Sequence, residues 1–132
     1  MARILVVDDD TLVLGSVERV LKSAGHELVT ESLGANALDL AARQPFDVVL
    51  VDYKLPHMDG LEVLQRLREI QPRCVRMLMT GELVLPLVVT AVNVGKVSRV
   101  IEKPFDANTL VETVKEALSN HNRLTSMLQN QR

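Results

Sequence analysis

Residues 3–10 read RILVVDDD: four apolar side chains, Ile4 to Val7, run straight into Asp8, Asp9 and Asp10. The apolar run reads as a strand, and its end is crowded with acid. Carboxylates this close repel one another, and at the end of a buried strand they also lose water. A second stretch, DVVLVD at 47–52, repeats the design, an apolar strand closed by Asp52.

Between and after these strands the period changes. In TLVLGSVERVLKSAG (11–25), Leu12, Val13, Val17, Val20, Leu21 and Ala24 share one helical face, with Glu18, Arg19 and Lys22 opposite. Asp10 or Thr11 can cap this helix and Gly25 can end it. ELVTES (27–32) is a weaker strand, and GANALDLAARQ (34–44) a helix stopped by Pro45. After the turn-rich YKLPHMDG, a third helix, LEVLQRLREIQ (61–71), stops before Pro72. VRMLMTG (75–81) is the next strand, followed by an apolar helix to about Gly95, the strand SRVIEKP (98–104), and a last helix from DANTLVETVKEAL (106–118). Strand and helix alternate throughout, and near-continuous apolar strands separated by helices imply a parallel sheet covered on both faces. Right-handed crossovers make it doubly wound, with sites beyond the carboxyl ends of the strands.

The bulk numbers narrow the function. A chain of 132 residues, 47% hydrophobic and 24% charged, suits one globular domain with one core. The net charge of −2 and the 2% aromatic content argue against nucleic-acid binding, and the charge also argues against an anionic membrane surface. No apolar run reaches membrane-span length, and Met1–Val7 lacks a signal peptide's layout. One cysteine, Cys74, excludes an internal disulfide and a multi-cysteine metal site, fits a cytoplasmic location, and is expected to be a small core residue.

Asp8–Asp10, Asp52, Thr80 and Lys103 each fall at or just after the end of an expected strand, so one rim of the sheet gathers acids, a hydroxyl and an amine. Oxygen-only ligands favour a hard cation such as Mg²⁺, which would neutralise part of the crowded charge. Phosphoryl transfer suits this set, because it asks for a metal, a cationic side chain and hydrogen-bond donors. An aspartate can act as its nucleophile and form an acyl phosphate.

At VVDDD, VLVDYKLPHMDG, MLMTG and VIEKPFD the sequence resembles the receiver domains of two-component response regulators, in matching order from residue 3 to about 119. The resemblance implies a flavodoxin-like (βα)5 sheet in strand order 2-1-3-4-5, with a receiver domain at 1–119 and a tail or helical linker at 120–132. It implies that Asp52 is the phosphoacceptor, receiving the group from a histidine kinase, a phosphotransfer protein or a small phosphodonor. Asp9 resembles the direct Mg²⁺ ligand, with Asp52 and the Lys54 backbone carbonyl, while Asp8 holds the ion through water. Thr80 would donate to a phosphoryl oxygen, Gly81 would leave it room, and Lys103 would pair with Asp52 before the reaction and with the phosphoryl group after it. Lys54 and Glu82, each two residues beyond a site residue, would set the lifetime of the phosphorylated form, as a charged gate. The Lys103–Pro104 peptide is expected to be cis. Asp10 is expected to cap a helix, and His57 to be a solvated loop residue.

Two departures stand out. Where receivers usually carry Tyr or Phe, this chain has Val100, so the route by which the state reaches the surface differs. From Val84 to Val94 only Pro86, Thr90 and Asn93 interrupt apolar residues. Either an exposed apolar patch binds a partner protein, an output domain or a second copy, or the helix packs unusually deeply; Pro86 places its start near Leu85. Leu110, Val114, Ala117, His121, Leu124 and Leu128 follow coiled-coil spacing, which allows a linker or dimer arm, whereas SNHNR allows a frayed tail. With no output motif after it, the chain reads as a single-domain regulator or as a receiver cut from a longer protein. The rival readings are a receiver-like interaction module that takes no phosphate, and a phosphatase with an aspartate nucleophile. The phosphatase wants a second aspartate where Lys54 stands, so no turnover of an external substrate is expected.

Overall fold

A computed structural model describes residues 1–130 of the chain. Five strands, β1 (Arg3–Val7), β2 (Glu27–Glu31), β3 (Val48–Asp52), β4 (Val75–Thr80) and β5 (Arg99–Glu102), form one sheet in the order β2-β1-β3-β4-β5. All four pairings are parallel. The helices are α1 (Thr11–Ser23), α2 (Gly34–Arg43), α3 (Gly60–Ile70), α4 (Leu85–Thr90) and α5 (Ala107–Asn130).

Two cores, one on each face, follow from the period of two along each strand. Ile4, Val6, Val48, Leu50, Met77 and Met79 meet Val17 and Leu21 of α1 and Leu110 and Val114 of α5. Leu5, Val7, Val49, Val51 and Leu78 meet Ala37 and Ala41 of α2 and Val63, Leu64 and Leu67 of α3. The three central strands are therefore largely apolar on both faces, as their sequences predict, with buried Arg76 of β4 as the exception. Cys74 is buried with the second group, as a core residue.

Caps set the helix ends. The Asp10 carboxylate accepts from the Leu12 N–H at 2.9 Å, and Gly25, at φ 94°, follows the end of α1 in a conformation that favours glycine. Asp59 caps α3 by accepting from the Glu62 N–H at 2.9 Å. The helix after β4 begins at Leu85 with Pro86 in its first turn, but after Thr90 it widens into a π-helical turn, Ala91–Gly95. That turn brings Ala91 and Gly95 onto α3, where a Cβ on Gly95 would lie 3.2 Å from Leu64 Cβ.

The apolar face of α4 is exposed. Leu83, Val84, Leu85, Val89 and Val92 are each at least 41% accessible, and Leu87 and Val88 are half-buried, so the deeper-packed alternative does not apply. The last helix continues through the SNHNR segment to Asn130. Leu110, Val114 and Ala117 of the expected seam are committed to this domain's own core. The side chains of Leu124 and Leu128 lie outside the described residues. Among the described residues no helix is long and apolar enough to cross a membrane.

Candidate functional site

The strand register fixes the rim. Val7 pairs with Val51, Asp52 with Met79, and Thr80 with Glu102, so β1, β3, β4 and β5 all end at one edge. Asp8 is fully buried there, Asp52 and Thr80 are nearly so, and Asp9 is exposed. One carboxylate oxygen from each of Asp8, Asp9 and Asp52 lies within 4.8 Å of the others.

A single amine spans this cluster. Lys103 Nζ donates to Asp8 Oδ2 at 2.6 Å and to Asp52 Oδ1 at 2.9 Å. The other Asp8 oxygen accepts from the Asp10 N–H at 2.9 Å. Lys103 reaches the site because its own N–H donates to the Thr80 carbonyl at 2.8 Å, one step beyond the β4–β5 ladder, and its peptide bond to Pro104 is cis as expected.

The electrostatics are unbalanced. Burial pushes the Asp52 carboxyl above the ordinary aspartate range; the Lys103 hydrogen bond draws it back, and Asp8 and Asp9 push it up again. Burial alone would lower the Lys103 ammonium, but hydrogen bonds and charge from Asp52 and Asp8 outweigh that and hold it above an ordinary lysine. With three carboxylates around one cation, the cluster has negative charge to spare. An all-oxygen, strongly anionic donor set of this kind fits Mg²⁺.

Thr80 stands at the mouth of the site. Its hydroxyl donates to the Glu82 carbonyl and accepts from the Glu82 N–H, each at 3.2 Å. Gly81 between them has open space around its Cβ position. Lys54 and Glu82 are both exposed, and among the described residues no ion pair joins them. His57 is exposed in its loop, at φ 68°.

One positioning residue escaped the sequence reading. The Gly60 N–H donates to the Tyr53 carbonyl at 2.7 Å, and a Cβ on Gly60 would collide with the Asp52 carbonyl oxygen and lie 2.8 Å from Tyr53 Cα. This contact locks the start of α3 against the backbone that carries Asp52. The signal was available as a glycine at the first position of a helix directly after its cap, where a helix alone would favour alanine.

Comparison with known proteins agrees with this geometry. The response regulator receiver domain family matches residues 4–115. The chain is 34% identical over 116 residues to the DNA-binding transcriptional regulator NtrC of Escherichia coli K12, covering 88% of this chain but 24% of that protein. It is 30% identical to sporulation initiation phosphotransferase F of Bacillus subtilis, covering 88% of this chain and 93% of that one. In three dimensions it resembles a CheY-like response regulator receiver domain protein from Methanospirillum hungatei JF-1, with a TM-score of 0.88, 32% identity, and coverage of 93% and 98% of the two chains.

Proposed function

We propose, because the chain belongs to the response regulator receiver family, that Asp52 accepts a phosphoryl group from a histidine kinase or phosphotransfer protein and thereby resets the surface around α4. Receiver domains are the signalling switches of two-component phosphorelays and are not substrate-turnover enzymes. The observation that carries the reading is the Lys103 ammonium bonded to Asp8 and Asp52 at once.

The Asp52 carboxylate attacks the phosphorus of a phosphohistidine. A P–O bond forms, the P–N bond breaks, and its electron pair stays on the imidazole, which takes up a proton. Lys103 moves its hydrogen bond from Asp52 to a phosphoryl oxygen, and the Thr80 hydroxyl turns from the Glu82 backbone to another. Asp8, Asp9, Asp52 and the Lys54 carbonyl would hold Mg²⁺, which when bound would offset the negative charge that the transfer gathers at this rim. Gly81 leaves the phosphoryl oxygens room, and the exposed Lys54 and Glu82 side chains govern access of the water that hydrolyses the acyl phosphate. Residues 1–119 serve as the receiver and 120–132 as its extension, and the continuation of α5 past residue 119 to Asn130 supports a helical linker over a frayed tail. The exposed apolar face of α4 is the docking surface for an output partner or a second copy of the chain.

Intact mass after incubation with acetyl phosphate tests the reading. A phosphate adduct that needs Mg²⁺ and disappears in Asp52→Asn is the expected result. No adduct, and no spectral response to beryllofluoride with Mg²⁺, would favour the interaction module that takes no phosphate. Steady turnover of a phosphomonoester would favour the phosphatase.

A further inference from the structure

The two ends of the segment after β4 are held by different forces. At its far end Ala91 is fully buried, Gly95 packs on Leu64, and the Gly95 carbonyl accepts from Arg76 Nε at 2.9 Å. At its near end Leu83, Val84 and Leu85 are exposed, and no side chain caps the helix at Val84. Two polar ties reach that end. The Thr80 hydroxyl holds the Glu82 backbone at 3.2 Å, and Glu102 Oε2 accepts from the Leu83 N–H at 3.4 Å.

Glu102 is well placed to sense the site. It pairs with Thr80 across β4 and β5, and it directly precedes Lys103. Val100, two residues earlier on β5, offers only methyl groups and packs on the apolar side with Leu87. The polar route from rim to α4 therefore runs through Thr80 and Glu102.

We propose that Glu102 is a positioning residue that couples the phosphoryl site to α4: with Thr80 it latches residues 82–83 in the unphosphorylated chain, and phosphorylation frees both bonds. This rests on the reading of Asp52 as phosphoacceptor. Once the Thr80 hydroxyl turns to a phosphoryl oxygen, Glu82 loses its partner. The single exposed Glu102 bond left on the strand-to-helix link then gives way as well. The start of α4 swings while Arg76 and Leu64 keep its far end fixed, which changes the presentation of Leu83, Val84 and Leu85. Coupling is reciprocal, so weakening the latch must also favour the phosphorylated conformation.

Hydrogen exchange over residues 82–90 tests this in the wild type, Glu102→Ala and Glu102→Gln, with and without beryllofluoride and Mg²⁺. The wild type should exchange faster in this segment when beryllofluoride is bound. Unmodified Glu102→Ala should already exchange faster, and should bind beryllofluoride about fivefold more tightly, the worth of one modest hydrogen bond. Glu102→Gln keeps an acceptor oxygen and should restore both. Exchange in β1 and β3 should be the same in all three, because Glu102 is exposed. If unmodified Glu102→Ala exchanges like the wild type over 82–90, or binds beryllofluoride with wild-type affinity, the latch is wrong. If the wild type takes up neither phosphate nor beryllofluoride, the phosphoacceptor reading fails, and the exchange of the unmodified variants still decides whether Glu102 holds residue 83.

Discussion

The two ends of the sheet treat charge in opposite ways. At the carboxyl rim three clustered carboxylates have one ammonium that bonds two of them, and burial pushes the Asp52 carboxyl up. At the other end Arg76, equally buried, sits among carbonyls: Gly95 at 2.9 Å, Cys74 at 3.0 Å, and Gln71 and Pro72 each at 3.3 Å. Beside it the Gln71 amide accepts from the Phe46 N–H at 2.9 Å and donates to the Ala41 and Gln44 carbonyls, each at 2.7 Å. Arg3 lies over the Phe46 ring, 5.4 Å from its centroid, and bonds to Gln44. The base thus gives the Arg76 guanidinium and the Gln71 amide their partners, with Arg3 Nε the one buried donor there, among the described residues, left without one, and serves stability. The rim leaves its charges short of partners and keeps capacity for a cation and a phosphoryl group, the usual trade of stability for function.

This contrast can be broken by substitution. The largest effect is expected at Lys103→Met, which leaves Asp8 buried without its counter-ion. Urea unfolding without Mg²⁺ should show a loss of about 4 kcal/mol; a loss under about 1 kcal/mol would mean the rim is less frustrated than its geometry indicates. Arg76→Met strips the carbonyls at the base of their donor, for an expected loss of about 3 kcal/mol in the same measurement. Because the base lies apart from the chemistry, that variant should still give the phosphate adduct. Asp52→Asn should have the opposite sign, gaining about 1 kcal/mol without Mg²⁺ while taking up no phosphate, since it removes an acid from an over-acidic cluster. A loss of stability there would contradict the comparison.

The smallest effect concerns pH. Half-buried His26 accepts the Ala2 N–H through Nδ1 at 3.1 Å, and burial, with the nearby N-terminal charge, lowers its pKa. The neutral imidazole is favoured in the fold. Its contribution is therefore fully present above the ordinary imidazole pKa and is lost as pH falls through the lowered folded value. Thermal melts should show this as an acid-side loss of about 0.5 kcal/mol that is absent in His26→Ala. An identical pH profile in the variant would remove His26 from the account.

Much of this was legible because strands buried on both faces leave little ambiguity. RILVV, VVLVD and VRMLMT each became a strand, and placing Asp8, Asp52 and Thr80 at strand ends required no three-dimensional information. Other features have no local signature. Arg76 reads as a surface residue in an otherwise apolar strand, because its burial rests on how the 71–74 turn aims its carbonyls and on Gly95, which only the fold brings to it. Gly60 gains its importance from the Asp52 backbone, which approaches it only in the fold. The π-helical turn at Ala91–Gly95 follows from packing on Leu64, not from propensity. Likewise only the fold assigns the first half of the seam pattern in α5, Leu110, Val114 and Ala117, to this domain's own sheet.

By itself, then, the sequence determined the alternation of strand and helix, the parallel class of the sheet and the residues at its rim, because apolar period and chain order are local properties. The tertiary structure alone decided that one ammonium bridges Asp8 and Asp52, that α4 keeps its apolar face exposed, and that Glu102 touches the Leu83 N–H. Each depends on where separate segments meet, and distances between remote side chains are set only when the sheet twists, packs and closes around its two cores.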